Sequence, residues 1–443
     1  MSWLFAPSFT EMRFLGIGET NDLGDMYLRL KEAGHGVRVF VAEESSRDIM
    51  DGMIDFTQDW RSDLEWIREA GDDGIIVFEN ASMGETQDEL RRDGYNVAGG
   101  SAYGDRLEGD REFGQNVLRG LGLQTAATHT FGRFNEAISF LRVHPGRYVF
   151  KLNGHGWRSS RNYVGQMDDA ADMIALLTAT RNNWPYDEEP QFILMEYIEG
   201  VETGTGAFFN GETFIGPPNL DWEHKRFFPG DIGELTGEMG TVVTYRGAEK
   251  LFDATLRRVE PLLRESGYCG YINLNTIINE QGVWPLEFTS RFGYPGFAIL
   301  SALYDEDWAS ILAAVTRKDR TQLKTKDGFS VGVVLTVPGF PYSDGYADKG
   351  KGTPICFRDT MNDADRRSLH FSEVTMKNGQ LTTAGLVGHT MVVTGIGNTV
   401  EVARRDAYSR VEKVVIPNVR YRNDIGMRLI DRDQARLREL GWM

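Results

Sequence analysis

The sequence predicts an α/β protein that opens on a doubly wound parallel-sheet domain, and three observations carry that reading. Apolar runs of strand length alternate with helix-length segments through the first hundred residues, and glycines punctuate their ends. The chain has 443 residues, 41% hydrophobic and 26% charged, enough for two to four domains with large cores.

The elements follow in order. A strand over 12–16 runs into the turn Gly16-Ile17-Gly18, a helical stretch covers 23–33, and Gly36–Val41 returns as a second strand: a βαβ opening. A helix over 60–70 leads to Gly74–Phe78, apolar at nearly every position as a strand covered on both faces must be. Another helix precedes a strand over 95–98, and residues 1–11 read as an appendage. Gly16-Ile17-Gly18 lacks the third glycine of a dinucleotide fingerprint, although Glu43 and Glu44 follow the next strand. A plain strand-to-helix turn is the favoured reading, with a helix start suited to an anionic group.

The composition excludes several classes. A net charge of −17 with no basic run argues against nucleic acid and for a small substrate. No apolar stretch reaches the length of a membrane span, and the first ten residues do not form a secretory leader. Cys269 and Cys356 stand far apart without metal-ligand spacing, which fits a reducing cytoplasm.

The middle of the chain carries the chemistry. After a helix over 110–121, the strand Tyr148–Leu152 carries Lys151 into Asn153-Gly154-His155-Gly156-Trp157-Arg158-Ser159-Ser160-Arg161. A lysine on a strand edge beside a small, polar, flexible loop suits phosphate neutralisation and closure over a nucleotide. The apolar strand over 192–198 then ends in Glu199-Gly200-Val201-Glu202-Thr203, and 205–209 reads as the next strand. Such a passage offers backbone donors and acceptors to a flat heterocycle, and a following carboxylate can accept from ribose hydroxyls. Further on, alternation over 284–293 puts Glu287, Thr289 and Arg291 on one face, a set suited to a magnesium ion and the phosphates it bridges. Singly, Lys151 is an ordinary surface lysine, Arg111 a solvent-facing helix arginine and Glu287 with Arg291 a surface ion pair.

In this order the residues resemble the ATP-grasp superfamily, and within it the glycinamide ribonucleotide synthetases (phosphoribosylamine–glycine ligases), over nearly the whole chain from Met12. Leu107-Glu108-Gly109-Asp110-Arg111-Glu112-Phe113 is similar to that family's Leu-Glu-Gly-Ser-Lys-x-Phe, with Arg111 in place of the usual lysine. Asp221-Trp222-Glu223-His224-Lys225-Arg226, Gly230-Asp231-Ile232-Gly233 and Thr236-Gly237-Glu238-Met239-Gly240 resemble its Asp-His-Lys-Arg, Gly-Asp-x-Gly and Thr-Gly-Gly-Met-Gly string. Glu287-Phe288-Thr289-Ser290-Arg291-Phe292-Gly293 resembles Glu-Phe-Asn-Ala-Arg-Phe-Gly, and Arg422-Asn423-Asp424-Ile425-Gly426 the closing Arg-x-Asp-Ile-Gly. Four departures stand out. Glu19-Thr20-Asn21-Asp22 replaces a first loop that carries arginine and histidine. Ala384-Gly385-Leu386-Val387-Gly388-His389-Thr390 stands where Gly-Gly-Arg is usual. Phe78-Glu79-Asn80 only partly keeps a Gly-Pro-Glu turn. Thr289 replaces a metal-binding asparagine with a poorer ligand.

The resemblance implies an ATP-grasp fold: an N-terminal doubly wound α/β domain over 12–105, an ATP-grasp domain over 106–330 with a lid at about 128–200, and a small, mostly β domain over 331–443 that wraps back with strands at 331–337 and 390–394. It implies ATP-dependent joining of a carboxylate to an amine through an acyl phosphate, with magnesium, or manganese in its place. It assigns Arg111 and Lys151 to phosphates, Met195, Glu196 and Ile198 to the adenine hinge, Glu202 to ribose, Glu287 and Thr289 to metal, Arg291 to the transferring phosphate, and His224 and Lys225 to the acceptor pocket. His155 and His389 are expected as loop or surface histidines, and Asn273 and Asn275 as internal hydrogen-bonding groups. The leading expectation is a ligase that joins glycine or another amino acid to an amine other than phosphoribosylamine. A true phosphoribosylamine–glycine ligase of purine biosynthesis and a nucleotide-binding pseudoenzyme are the alternatives. The partners implied are small amino acid and amine substrates, neither nucleic acid nor membrane, for a monomer or homodimer.

Overall fold

The computed structural model describes residues 11–153 and 162–443. The expected appendage, apart from Glu11, and the polar loop containing His155 lie outside the described residues.

Near the N-terminus a four-stranded parallel sheet runs in the order Gly36–Val41, Arg13–Gly18, Gly74–Phe78, Asn96–Ala98. Its central strand Gly74–Phe78 is buried at all five positions, as its unbroken apolar run requires. The helix Gly24–Glu32 turns Met26, Tyr27 and Leu30 inward, and its last turn carries Arg29 and Lys31, which suit a helix C-terminus.

An eight-stranded antiparallel sheet forms the centre, in the order Gly282–Thr289, Cys269–Asn279, Val201–Asn210, Phe214–Glu223, Gly240–Thr244, Phe329–Thr336, His389–Gly397, Leu369–Phe371. The last three strands come from the C-terminal third of the chain, so this segment extends the central sheet directly. Between the two sheets lies the helix Trp308–Arg317, with Trp308, Ala309, Ile311, Leu312, Ala313, Ala314 and Val315 buried. A helix apolar on most sides must be enclosed, and truncating Leu312 to alanine should cost about 2–5 kcal/mol. Asp307 starts it by accepting from the Ser310 N–H at 2.8 Å.

A second antiparallel sheet, ordered Thr128–Phe131, Phe192–Glu196, Tyr148–Leu152, Tyr163–Val164, packs against the helices Phe134–Val143 and Ala171–Asn182. It presents Lys151 and Met195 to the central sheet.

Several strand ends differ from expectation: the first strand runs on through Gly18, so Gly16-Ile17-Gly18 is strand and not turn, and the strand expected over 192–198 ends at Glu196. The strand expected over 284–293 stops at Thr289, because the Ser290 N–H donates to the Glu108 carboxylate at 2.7 Å. The strand expected over 205–209 begins at Val201, so Glu202 stands within the sheet.

Candidate active site

The strand pairing explains how the site forms. Glu287 lies opposite Asn275, Asn275 opposite Gly204, and Gly204 opposite Asp221. Thr289, Asn273, Gly206 and Asn219 make the parallel row beside it. Two polar rows thus cross four strands on one face, and glycine interrupts both. A Cβ at Gly204 would stand 2.0 Å from Asp221 Oδ1, and one at Gly206 would stand 2.1 Å from the Tyr271 hydroxyl. The missing side chains let polar groups fold over the backbone and leave a cavity of about 530 Å³ above it.

Ten of the eleven site residues expected from sequence line that cavity: Arg111, Lys151, Met195, Glu196, Ile198, Glu202, Lys225, Glu287, Thr289 and Arg291. Glu287 is the hub. Its Oε2 takes Arg111 Nη1 and Lys151 Nζ, the latter at 2.9 Å, while Lys225 Nζ stands 3.7 Å from Oε1. Burial would raise the Glu287 carboxyl, but the charges of Lys151, Arg111 and Lys225 outweigh it and hold the group well below the usual range. Lys151 is itself pushed down, by burial first. Arg111 opens the helix Arg111–Gly120, which Asp110 caps and Gln115 ties to the Leu286 carbonyl at 2.6 Å, so this arginine faces the cavity and not solvent.

Lys225 Nζ bridges Glu202 at 2.8 Å and Glu223 at 3.0 Å. Those two carboxylates with Glu287 overcome the cost of burial and raise Lys225 well above its ordinary value. Asn275 also donates to Glu202, at 2.8 Å. At the hinge, the Ile198 N–H has no backbone partner among the described residues, whereas the Glu196 and Tyr197 N–H groups are committed to Ala127 and Arg147 carbonyls.

His224 is the exception. It is 1% exposed, and its Nε2 accepts from the Gly426 N–H at 3.2 Å, on the side away from the cavity. Consecutive residues of an extended segment face opposite ways, so only one of His224 and Lys225 can enter the site. Burial, then Arg428 and Arg422, pushes His224 down to about 4. The closing motif holds this region: buried Arg422 pairs with Asp231 and Asp424, both at 2.7 Å. His389 is not the loop or surface group expected. It starts a strand, and its ring packs 4.7 Å from Tyr294 and 5.3 Å from Phe340, where burial pushes it down to about 3.

Several residues given no role from sequence enter the picture. Glu108 holds Arg291 at 3.2 Å from 183 residues away. Asp221, Glu223 and Glu238 line the cavity, and Glu238 stands where the family string has glycine. Asn273 and Asn275 are buried and donate to Asp221 and Glu202, in line with the hydrogen-bonding reading.

Two buried carboxylates accept from backbone N–H groups at the departing loops. The Glu373 carboxylate accepts from the N–H groups of Leu386 at 2.9 Å, Val387 at 3.0 Å, Gly388 at 2.5 Å and His389 at 3.0 Å. Consecutive amides converging in this way form an anion-binding nest, here filled by the chain itself. Glu79, 2% exposed, accepts from the Asp22 N–H at 2.8 Å, and burial with the Asp22 charge pushes it up to about 8. A Cβ at Gly18 would stand 2.3 Å from its Oε2.

Residues 109–297 match the profile for the phosphoribosylglycinamide synthetase ATP-grasp (A) domain, and residues 330–428 match the profile for the C domain of the same family. The chain belongs to the phosphoribosylglycinamide synthetase family. Its similar relatives include the phosphoribosylamine–glycine ligase of Listeria innocua, 26% identical over 85% of this chain and 86% of that one. The Streptococcus pneumoniae protein of the same name is 25% identical over 95% of this chain and all of its own. Among solved structures, the phosphoribosylamine–glycine ligase of Thermotoga maritima superposes with a TM-score of 0.70 at 23% identity, covering 93% of this chain and 100% of that one. A biotin carboxylase from Campylobacter jejuni follows at 0.61 and 10% identity, covering 93% of both chains, a likeness of fold alone. This family member is an ATP-grasp carboxylate–amine ligase that forms a carbon–nitrogen bond. ATP-grasp proteins bind ATP with divalent metal ions, and the Glu287 carboxylate and Thr289 hydroxyl are hard oxygen donors that fit such an ion. No helix among the described residues is long and apolar enough to cross a membrane.

Proposed function

We propose that this chain joins the carboxylate of an amino acid to an amine by way of an acyl phosphate, and that glycine and phosphoribosylamine are the first pair to test. The observation that carries the reaction class is the cluster of Lys151, Arg111 and Lys225 around Glu287 on the cavity floor. Three cations on one carboxylate are more than that carboxylate needs, and they suit a polyphosphate that would take Lys151 and Arg111 and free Glu287 for metal.

In this reading a substrate carboxylate oxygen attacks the γ-phosphorus, the bond to the bridging oxygen breaks, and ADP leaves. The amine then attacks the acyl carbon, phosphate departs and the amine gives up a proton. Lys151, Arg111 and Arg291 hold phosphate oxygens, and Glu108 fixes the Arg291 guanidinium. Met195, Glu196 and Ile198 receive adenine, with the Ile198 N–H open to donate, and Glu202 receives ribose. Glu287 and Thr289 hold magnesium, or manganese, which when bound neutralises phosphate charge. Lys225 faces the acceptor end, and His224 supports the fold behind it.

The relatives' names support phosphoribosylamine and glycine as substrates, and with them purine biosynthesis. A second reading, an acceptor other than phosphoribosylamine, is favoured by Glu373 in its amide nest and by the Glu79–Asp22 contact, since carboxylates in the departing loops suit a ribose phosphate poorly. The acyl phosphate is tested with an amino acid carrying ¹⁸O in its carboxylate: one label should appear in the released phosphate per amide formed, and unlabelled phosphate would contradict the mechanism.

A further inference from the structure

Among the described residues, three carboxylates that line the cavity form no ion pair, the exposed Glu196 and the buried Asp221 and Glu238. Lys225 serves Glu202 and Glu223, Lys151 and Arg111 serve Glu287, Arg291 is held by Glu108, Arg428 by Asp231 and Asp433, and Arg226 donates to the Gly233 carbonyl, away from both buried carboxylates. No basic side chain among the described residues forms an ion pair with Asp221 or Glu238. Glu238 is 7% exposed, lines the cavity, and its Oε1 has no hydrogen-bond partner. Its segment is strapped to the site, since the Thr236 and Met239 N–H groups donate to the Lys225 and His224 carbonyls, each at 2.8 Å.

Asp221 Oδ2 accepts from Asn219 at 2.9 Å and Asn273 at 2.7 Å, which fixes its carboxylate without neutralising it. An independent group points into the same place: the Thr241 hydroxyl, paired across strands with Glu223, is 2% exposed, lines the cavity and has no partner. Buried polar groups are almost always satisfied, so these atoms await a ligand. Burial, Glu223 and Asp221 raise Glu238 well above its ordinary value, and burial with Glu223 raises Asp221 to about 7. A bound positive charge would relieve both. Asp221, Glu238 and Thr241 line the cavity that receives the organic substrates, so a substrate nitrogen is the counter-charge within their reach.

One α-ammonium of an amino acid neutralises one carboxylate and leaves the other bare. We infer that Glu238, with Asp221 and the Thr241 hydroxyl, seats a second cationic nitrogen, an alkylammonium or guanidinium carried by one of the two substrates in addition to its reacting group. This rests on the ligase reading and adds a substrate class to it.

The test measures calorimetric binding in the presence of ADP and magnesium, then ADP release from ATP, for paired probes. Lysine against norleucine and arginine against citrulline examine the carboxylate donor; butane-1,4-diamine against butylamine examines the acceptor. At least one dibasic probe should bind tenfold or more tightly than its neutral partner, and Glu238→Gln should collapse that ratio to near one. The pair that shows the preference identifies the substrate carrying the charge. Flat ratios in the wild-type protein, or a ratio untouched by Glu238→Gln, would overturn the inference even where glycine and a neutral amine drive ADP release, which leaves the ligase reading intact. A dibasic preference in binding without ADP release from any pair upholds the seat and fails the ligase reading.

Discussion

Lys151 Nζ stands 2.9 Å from Glu287 Oε2, joining an inner strand of the smaller antiparallel sheet to the edge strand of the central one across the cavity. Each residue thereby holds the other in place, and in the proposed function Lys151 would meet phosphate and Glu287 metal. Glu287→Gln keeps the volume and removes the charge. Turnover should fall by about two to three orders of magnitude, with little change in thermal stability. Steady-state kinetics with a melting curve check both halves, and unchanged turnover would remove Glu287 from the metal role.

Glu108 accepts from both the Ser290 N–H and Arg291, and in the proposed mechanism it acts by positioning the Arg291 guanidinium. Glu108→Gln should lower kcat by about tenfold to a hundredfold and leave ADP affinity within about twofold, because the guanidinium is still present but no longer held in place. Titration with ADP beside a turnover assay separates the two effects.

The Glu373 nest makes an unusual prediction. Glu373→Ala leaves four converging amides without an acceptor and should cost about 2–4 kcal/mol of stability. Sulfate or inorganic phosphate should then restore part of the loss, since the vacated amides suit an oxyanion. A thermal shift series in sulfate checks it; equal shifts in variant and wild type would mean that the amides do not form an anion site.

Acid stability should report the buried contact between Asp25 and His370, 3.0 Å apart, which ties the helix Gly24–Glu32 to the edge strand Leu369–Phe371. Burial alone would raise Asp25, but Arg29 and His370 bring it down to about 2 from an ordinary 3.8. A depressed carboxyl contributes stability above pH 3.8, and that contribution is lost as pH falls through about 2. The difference is worth about 2 kcal/mol. His370, depressed by burial and by Arg29, acts in the same direction from pH 6.5 downward. Asp25→Asn should therefore lower the urea midpoint at pH 7 and flatten its decline below pH 4.

Much of this was legible in the sequence where a local pattern decides the outcome. Gly36–Val41, Gly74–Phe78 and Tyr148–Leu152 are strands at the bounds their apolar patterns predict. The cavity-lining residues could be read because the family string fixes them by order along the chain. What could not be read depends on distant partners. The strand end at Thr289 is set by Glu108, and nothing local to Ser290 announces it. The orientation of His224 is decided by Gly426, two hundred residues on. Glu238 stands where the family string has glycine, but its burial without a partner depends on the strap back to Lys225.

The most direct measurement is ADP release from ATP and magnesium with glycine and phosphoribosylamine generated in place, followed by a panel of amino acids against other amines. The account predicts ADP formed in step with an amide for at least one carboxylate–amine pair, and phosphoribosylamine turnover would place the enzyme in purine synthesis. If no pair releases ADP above the rate with ATP alone, the ligase assignment is contradicted.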